Sequence, residues 1–334
     1  MSTNPYESER LLAEYLLFHY GTAEEILPAG APAGMRDALD FAVRTTRHFS
    51  PGEVERTLDL GCAVGRSAYE LSRSSRETLG IDFSNSFVRA AQAIAGGPLA
   101  YQRLDEAHRR TELFAQLPDG LLVSRETTEQ ILAATDIVEV IGSYIEVEQA
   151  GQSFKALCPF HKEETPSFNI NPVRQFFHCF GCGKIGDAIT FVREYENLPF
   201  SNAVKKLAAR AGIAVGNVSF ETGDAMDLRL DLGDFDRVHA ANLLCRLTEP
   251  KRLLDRFPSL VRPGGELVIA TPCTWLGEFT PPENWPEGST LEWLNEALGA
   301  DFELLNVADE PFLIRETARK FQWTNSMVTA WRRK

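Results

Sequence analysis

The sequence lacks the features that mark membrane-spanning and secreted proteins, and it has few basic residues. None of its 334 residues falls in an apolar run of 18 or more, which excludes a membrane-spanning helix. The N-terminal stretch MSTNPYESER has no basic region followed by an apolar one, so we expect a cytoplasmic protein without a secretory signal. With 34 basic against 47 acidic residues, the formal charge is −13. The whole chain is therefore a poor partner for nucleic acid, and any such contact must be local.

Cysteine is also scarce, and repeats and low-complexity tracts are absent. Of the six cysteines, three crowd into a single stretch between residues 158 and 182. A disulfide framework would be denser, so this cluster favours a metal site in a reducing compartment. The apolar content of 44% is that of a folded globular protein.

What is present is a repeated alternation of strand and helix patterns, interrupted by a different central segment. The spacing predicts strands over 55–60, 78–82, 218–221, 235–242, 265–271, 302–306 and 327–331. It predicts helices over 8–20, 36–49, 67–72, 84–94, 251–260 and 291–298. The central segment carries helical stretches over 126–145 and 187–211. Such alternation is typical of a parallel sheet covered by helices on both faces.

A glycine-rich turn follows the first predicted strand. The motif is Asp59-x-Gly61-x-x-x-Gly65, and the second strand ends in an acid, Asp82. Glycine permits the tight passage from strand to helix and lets a ligand approach the backbone. An acid at the end of the next strand is placed to accept two ribose hydroxyls. The spacing differs from the G-x-G-x-x-G pattern of dinucleotide-binding proteins.

This turn resembles the first motif of class I S-adenosylmethionine-dependent methyltransferases. Three later segments match in order: Gly223–Ala225, Phe235–Asn242 and the turn Arg262–Gly265. The resemblance implies an α/β, Rossmann-like fold with a mostly parallel sheet and S-adenosyl-L-methionine as cofactor. The cofactor-binding residues that it implies are Asp59, Gly61, Cys62, Gly65, Asp82, Phe83, Asp224, Ala225 and Asn242.

Segments near both ends resemble the methyltransferase module of ovothiol biosynthesis. These are residues 4–21, 240–247, 274–285 and 311–323. The resemblance implies N-methylation of an imidazole ring nitrogen in a thiolated histidine. Tyr6, Asn242 and Trp275 are then candidate catalytic residues, and Tyr20, Arg246, Trp285 and Arg315 are candidates for binding the substrate. Arginine suits a substrate carboxylate, whereas each aromatic residue is also compatible with a core or rim position. We expect His239 to be a buried structural histidine.

The central segment carries two pairs of metal-ligand residues. Cys158-x-x-His161 and Cys179-x-x-Cys182 have the spacing of two zinc knuckles, with glycines beside the last ligand. All four positions are protein ligands, which predicts one structural Zn²⁺ in a closed site. His178 breaks the spacing, so we do not expect it to be a ligand.

The surroundings of these pairs resemble the N-terminal zinc-binding domain of bacterial DNA primase. The resemblance rests on residues 133–141, CPFHKEETPSF and QFFHCFGCGKIG, and it runs from about Val123 to Val215. It implies contact with single-stranded DNA, with Lys155, Lys162, Arg174, Phe177 and Lys184 as candidates. A sheet bearing Phe168, Phe176, Phe177 and Phe180 beside these basic residues would suit base stacking, but the four phenylalanines could equally form the core of this small domain. Residues 151–193 hold five basic and three acidic residues, a mildly basic patch. The primase catalytic domain is not in this chain, so primer synthesis is not expected.

These features predict one domain inserted in another. Residues 1–120 and 216–334 would form the methyltransferase domain, and residues 121–215 the zinc-ribbon domain. The main hypothesis is a small-molecule methyltransferase. The alternative is a nucleic-acid-binding zinc-ribbon protein in which the methyltransferase fold is secondary or inactive. Methylation of nucleic acid is disfavoured, because Ala240–Leu243 stands where Asn/Asp-Pro-Pro-Tyr would be expected.

Overall fold

The computed structural model of the chain describes residues 5–105, 109–118, 125–198, 200–212 and 216–334. The chain divides into two compact units. Residues 1–117 and 217–334 form the first, called the sheet unit here, and residues 118–216 form the second, the ribbon unit. The predicted boundary between residues 120 and 121 lies outside the described residues, as does residue 215.

The helices and strands are numbered along the chain. The helices are α1 (Glu9–Tyr20), α2 (Ala23–Ile26), α3 (Ala33–Arg36), α4 (Phe41–Arg44), α5 (Arg66–Leu71), α6 (Asn85–Gly96), α7 (Arg125–Ala133), α8 (Ile137–Gly142), α9 (Ala188–Tyr195), α10 (Phe200–Ala211), α11 (Pro250–Leu260) and α12 (Thr290–Leu298). The strands are β1 (Val54–Leu60), β2 (Ser75–Asp82), β3 (Leu99–Leu104), β4 (Arg110–Ala115), β5 (Glu148–Ala150), β6 (Ser153–Ala156), β7 (Phe168–Asn171), β8 (Phe176–Cys179), β9 (Ile185–Gly186), β10 (Val218–Thr222), β11 (Phe235–Ala241), β12 (Val261–Thr271), β13 (Phe302–Arg315) and β14 (Phe321–Arg333).

The sheet unit is built on seven strands in the order β10-β2-β1-β11-β12-β14-β13. The first five strands run parallel, and β14 pairs antiparallel with both β12 and β13. The predicted α/β, Rossmann-like class with a mostly parallel sheet is confirmed. The carboxyl ends of β1, β2, β10 and β11 meet at one edge, where open sheets of this kind bind ligands.

The central strands are buried on both faces, which explains their short apolar sequences. Leu58 and Leu60 of β1 and Val238 of β11 are fully buried and belong to one hydrophobic cluster. Among the polar residues of these strands, Asp59 of β1 and His239 of β11 are also fully buried. A buried charged group needs a partner, so these two residues bear on the site described below.

Several predicted elements have different bounds in the structure. The predicted helix over 36–49 is broken, because Asp40 adopts a left-handed conformation with φ of 56° between α3 and α4. The last two strands are far longer than predicted and form one antiparallel hairpin. A second hairpin, β3–β4, was not predicted from the sequence, and its Tyr101 packs in a cluster with Leu16 and Leu17 of α1.

The ribbon unit has an antiparallel sheet in the order β5-β6-β7-β8-β9, with helices α7 to α10. Phe168, Phe177 and Phe191 are fully buried in its hydrophobic cluster. Each of the two long predicted helices is split in two. Asp136 caps the start of α8 by accepting the backbone N–H of Val138 at 2.8 Å.

No helix in the described parts of the chain combines the length and the apolar character that crossing a bilayer requires.

Candidate functional site

The glycine turn lies at the carboxyl end of β1 and is tied to β2. The backbone N–H groups of Gly61 and Cys62 donate to the carbonyl of Ile81 at 2.8 and 3.2 Å. Gly65 has φ of 86° just before α5, and a Cβ placed there would lie 2.8 Å from Cζ of Phe220. A side chain at this position would therefore disturb both the backbone and the packing.

Asp82 ends β2 beside this turn, with its carboxylate held by two backbone N–H groups. Oδ2 accepts from Ala63 and Oδ1 accepts from Ser84, both at 2.8 Å. Its backbone carbonyl accepts the N–H of Gly223 at 2.9 Å, which joins the end of β2 to the residues after β10. Burial raises the pKa of Asp82 to about 6, although the two N–H groups oppose that shift. Each carboxylate oxygen keeps a second lone pair, so the group fits a ribose diol.

Four other predicted cofactor residues lie on the loops that follow these strands. Phe83 is 60% exposed, whereas Ala225 is buried. Asp224 accepts the N–H of Met226 at 2.8 Å. The thiol of Cys62 is buried and burial raises its pKa well above the ordinary value, so a ligand would meet the backbone of this residue rather than its sulfur.

Asn242 follows β11 with a left-handed backbone, φ 53°. Its N–H donates to the carbonyl of Ala270 at 2.8 Å, and its Oδ1 accepts the hydroxyl of Ser326 at 2.7 Å. These bonds fix Asn242 between the ends of β11 and β12 and the antiparallel strand β14.

Asp59 occupies a different place from the one predicted. Its side chain is 1% exposed. One oxygen lies 2.7 Å from Nδ1 of His239 and the other accepts the hydroxyl of Ser67 at 2.6 Å. Nε2 of His239 lies 3.0 Å from Oγ1 of Thr45. Asp59 therefore supports the turn from beneath rather than facing a ligand, and His239 is buried as expected.

Tyr6 lies over the carboxyl edge of the sheet. Its backbone carbonyl accepts the hydroxyls of Ser84 and Ser86, each at 3.0 Å, so the N-terminal segment is tied to the start of α6. Burial raises the pKa of the Tyr6 hydroxyl. The positive charge of Arg246 lowers this pKa, and the negative charge of Asp82 raises it further. The three side chains Tyr6, Arg246 and Asp82 thus share one electrostatic environment.

Tyr20 and Arg315 are bound to the protein itself. The Tyr20 hydroxyl donates to the carbonyl of Val64 at 2.8 Å, which supports the glycine turn. Arg315 is 8% exposed. Its guanidinium donates to the carbonyl of Glu25 at 2.9 Å and to Asp105 at 3.1 Å. The structure therefore gives both residues positions that hold the fold, in place of the predicted contact with substrate.

The two predicted tryptophans lie beyond β12. The Trp275 indole donates to Oγ1 of Thr290 at 3.1 Å and packs edge-on against Trp293, with ring centres 5.6 Å apart. The Trp285 indole donates to the carbonyl of Thr280 at 2.8 Å, and the residue is 39% exposed. Both rings are fixed by hydrogen bonds.

In the ribbon unit, the four predicted metal ligands come together. The ligand atoms of Cys158, His161, Cys179 and Cys182 all lie within 4.8 Å of one another. Sγ of Cys158 is 3.8 Å from Sγ of Cys182, and Nδ1 of His161 is 3.8 Å from Sγ of Cys179. A tetrahedron with Zn–S bonds of about 2.3 Å has edges of about 3.8 Å, so the residues fit Zn²⁺. His178 lies outside this group, as expected.

The predicted nucleic-acid residues divide between surface and core. Lys155, Lys162 and Arg174 are exposed. Lys184 instead forms an ion pair with Glu194. Phe177 is fully buried, so it is a core residue and its prediction as a DNA contact was wrong.

An exposed aromatic residue of this unit, Phe180, follows β8. Lys155, Asn169, His178 and Ile185 are successive cross-strand neighbours on one face of the sheet. Phe180 is 72% exposed, and its ring centre lies 4.4 Å from that of His178. The alternation of side chains along β8, with Phe177 inward and His178 outward, could have distinguished the two faces.

Comparison with known proteins adds to this geometry. Residues 123–223 match the CHC2 zinc finger family of the DNA primase zinc ribbon, and residues 202–328 match a methyltransferase domain family. The chain therefore carries a primase-type CHC2 zinc ribbon and a class I methyltransferase domain. The cofactor that such a domain uses is S-adenosylmethionine, and the ribbon is a zinc site.

Two curated DNA primases match part of the chain. DNA primase of Geobacillus stearothermophilus is 41% identical over 138 residues, which is 41% of this chain and 21% of that protein. DNA primase of Thermotoga maritima is 48% identical over 92 residues, 28% of this chain and 16% of that protein. The chain thus spans about a fifth or less of the length of these primases. N-methyltransferase NodS of Bradyrhizobium japonicum aligns with 96% of this chain and 98% of its own, at 10% identity and a TM-score of 0.39, which is too low to support an argument.

Proposed function

We propose that the chain is a small-molecule N-methyltransferase that methylates an imidazole ring nitrogen of a thiolated histidine. In this proposal, residues 121–215 are an inserted ribbon holding one structural Zn²⁺. The observation that carries it is the grouping of Tyr6 and Arg246 beside Asp82. In this proposal Asp82 would accept the cofactor's hydroxyls, and Arg246 would bind an anionic substrate near the same tyrosine.

S-adenosylmethionine would supply an electrophilic methyl group on a sulfonium. Asp82 would bind the ribose hydroxyls, and the glycine turn would admit the cofactor to the backbone. Arg246, stacked 4.5 Å from the ring centre of Phe279, would hold the acceptor carboxylate. Tyr6 would cover the reacting groups and exclude water. A neutral imidazole nitrogen can displace the cofactor's sulfur from the methyl group with little acid–base catalysis. Correct orientation of the two reactants would therefore supply most of the rate acceleration.

The cofactor part is tested by calorimetry with S-adenosylhomocysteine on the intact protein. We expect Asp82→Ala to weaken binding at least about 10-fold, because charge-assisted hydrogen bonds to the ribose are lost. Asp255→Ala is the matched control, since Asp255 is an exposed acid on α11. Absence of binding by the folded wild-type protein would refute the cofactor assignment.

The acceptor is tested by mass spectrometry of 4-mercaptohistidine incubated with cofactor and enzyme. A gain of one methyl group is expected. Arg246→Ala should raise KM for this acceptor about 10- to 100-fold and leave KM for its decarboxylated analogue unchanged. Arg252→Ala, an exposed arginine on α11, should change neither value. Cofactor binding without methylation would exclude this acceptor while leaving the methyltransferase assignment standing.

A second activity, binding of single-stranded DNA by the ribbon, is favoured by its exposed sheet face. Phe180 and His178 offer two adjacent rings on which bases could stack, and Lys155 is exposed on the same face as His178. Fluorescence anisotropy with labelled oligothymidine should show binding that weakens steeply with salt. Loss of the Phe180 ring in Phe180→Ala should cost about 5- to 100-fold in affinity, whereas Val173→Ala, an exposed aliphatic control, should cost little. A flat titration at low salt would exclude this activity.

A further inference from the structure

Glu163 lies between the two turns that carry the metal ligands. Its Oε1 accepts the backbone N–H of Cys158 at 2.7 Å and that of Ser167 at 3.1 Å. Its Oε2 accepts the hydroxyl of Ser167 and lies 3.1 Å from Nε2 of His161. One carboxylate therefore connects the first cysteine ligand, the histidine ligand and the loop before β7.

The histidine uses its two nitrogens for different partners. Nδ1 of His161 faces the ligand group, 3.8 Å from Sγ of Cys179, and Nε2 faces Glu163. A neutral imidazole that gives the lone pair of Nδ1 to a metal must carry its proton on Nε2. That proton then points at a carboxylate, which fixes the tautomer and makes Nδ1 a stronger donor.

The edge of the ring that carries Nε2 is also confined by the backbone of Gly181. A Cβ added to Gly181 would lie 2.6 Å from Nε2 of His161 and 2.8 Å from Oγ of Ser167. Only glycine leaves room for the imidazole in this orientation. The Nε2 edge of the ring thus meets both a hydrogen-bond acceptor and a backbone without a side chain.

We propose that Glu163 is a positioning residue of the zinc site, which holds His161 as an Nδ1 ligand and raises its affinity for the metal. This follows from the ribbon's own geometry and is independent of the methyl acceptor. Glu163→Gln keeps the size of the side chain and loses the charge. Loss of an outer partner of this kind typically lowers metal affinity about 10- to 100-fold.

The test is a competition titration of the intact protein with a zinc chelator. Glu163→Gln should lower zinc affinity by about 10- to 100-fold. Glu164→Gln, the neighbouring exposed acid, should leave the affinity unchanged. With cobalt(II) in place of zinc, Glu163→Gln should also shift the ligand-field bands, because the basicity of the histidine ligand has changed. Equal affinities for the two variants, or a loss of affinity with an unchanged cobalt spectrum, would overturn the proposal.

A second variant separates positioning from general damage to the fold. In a His161→Cys background the ligand at position 161 is a thiolate, which has no N–H to donate to Glu163. Glu163→Gln should then cost much less in zinc affinity than it does beside His161, a coupling that a double-mutant cycle measures. The same loss in both backgrounds would assign Glu163 to the loop structure alone. If Glu163→Gln does not fold, Glu163→Asp replaces it in this cycle, because its shorter carboxylate withdraws from Nε2.

Discussion

Replacing His239 by alanine should destabilise the sheet unit strongly, because it leaves the charge of Asp59 buried with one partner fewer. Both side chains are at most 1% exposed, and the two polar atoms lie 2.7 Å apart. Among the described residues, the Ser67 hydroxyl is the side-chain partner that remains on the carboxylate after the substitution. Removing the partner of a buried carboxylate leaves its charge uncompensated, which costs about 3–5 kcal/mol.

This cost converts into a large change in melting temperature. The sheet unit comprises roughly 235 residues. For units of this size, 1 kcal/mol corresponds to about 2–4 °C, so His239→Ala should lower Tm by about 6–20 °C. Asp59→Asn combined with His239→Ala should recover part of this loss, because the stranded charge is then absent.

Tryptophan fluorescence is a selective assay for this effect. All five tryptophans, at positions 275, 285, 293, 323 and 331, belong to the sheet unit. Thermal unfolding followed by their emission therefore reports on this unit. His48→Ala is the matched control: His48 is paired with Glu310 at 2.9 Å, but that carboxylate keeps Arg44 at 2.7 Å. A loss for His239→Ala no larger than that for His48→Ala would refute the reasoning.

Three further predictions concern the cofactor edge and the metal. Because the pKa of Asp82 is about 6 and its ionised form accepts the ribose hydroxyls, affinity for S-adenosylhomocysteine should fall as pH drops through 6, and calorimetry should find this dependence absent in Asp82→Asn. Gly65→Ala should lower Tm by an amount corresponding to about 1–3 kcal/mol. Combining it with Phe220→Leu should recover part of this loss, and Gly34→Ala, whose added Cβ would meet open space, should leave Tm unchanged. A zinc chelator should unfold the ribbon unit, seen by circular dichroism, while tryptophan emission stays unchanged, and re-added Zn²⁺ should restore the signal.

The central strands and the metal ligands could be predicted because they depend on local patterns. Buried central strands appear as short apolar runs, and knuckle spacing is set by the geometry of one tight turn. The role of Asp59 could not be predicted in the same way. Its partner, His239, is 180 residues away in the chain, and nothing in either local sequence indicates the pairing.

Other differences arise where a single residue decides the outcome. Phe177 and Phe180 look alike in the sequence, yet the pleat of β8 buries the first and the loop after it exposes the second. The break at Asp40 depends on one left-handed residue between two segments that both favour helix. In the β13–β14 hairpin, the residues of β14 before Met327 pair with β13 but not with β12. This part of the hairpin lies beyond the parallel sheet, so it lacks the apolar alternation that predicts a strand in a sheet core.

The order of strands in the sheet unit has a consequence for synthesis on the ribosome. The central strand β1 ends at Leu60, and its parallel neighbour β11 begins at Phe235, about 175 residues later. At about 5–20 residues per second, β1 waits roughly 10–35 s for that neighbour. The ribbon unit is fully synthesised before β11, so it can bind Zn²⁺ and fold during that interval. Zinc supply during translation therefore decides whether the growing chain carries a folded unit or a long unfolded loop between the two parts of its sheet.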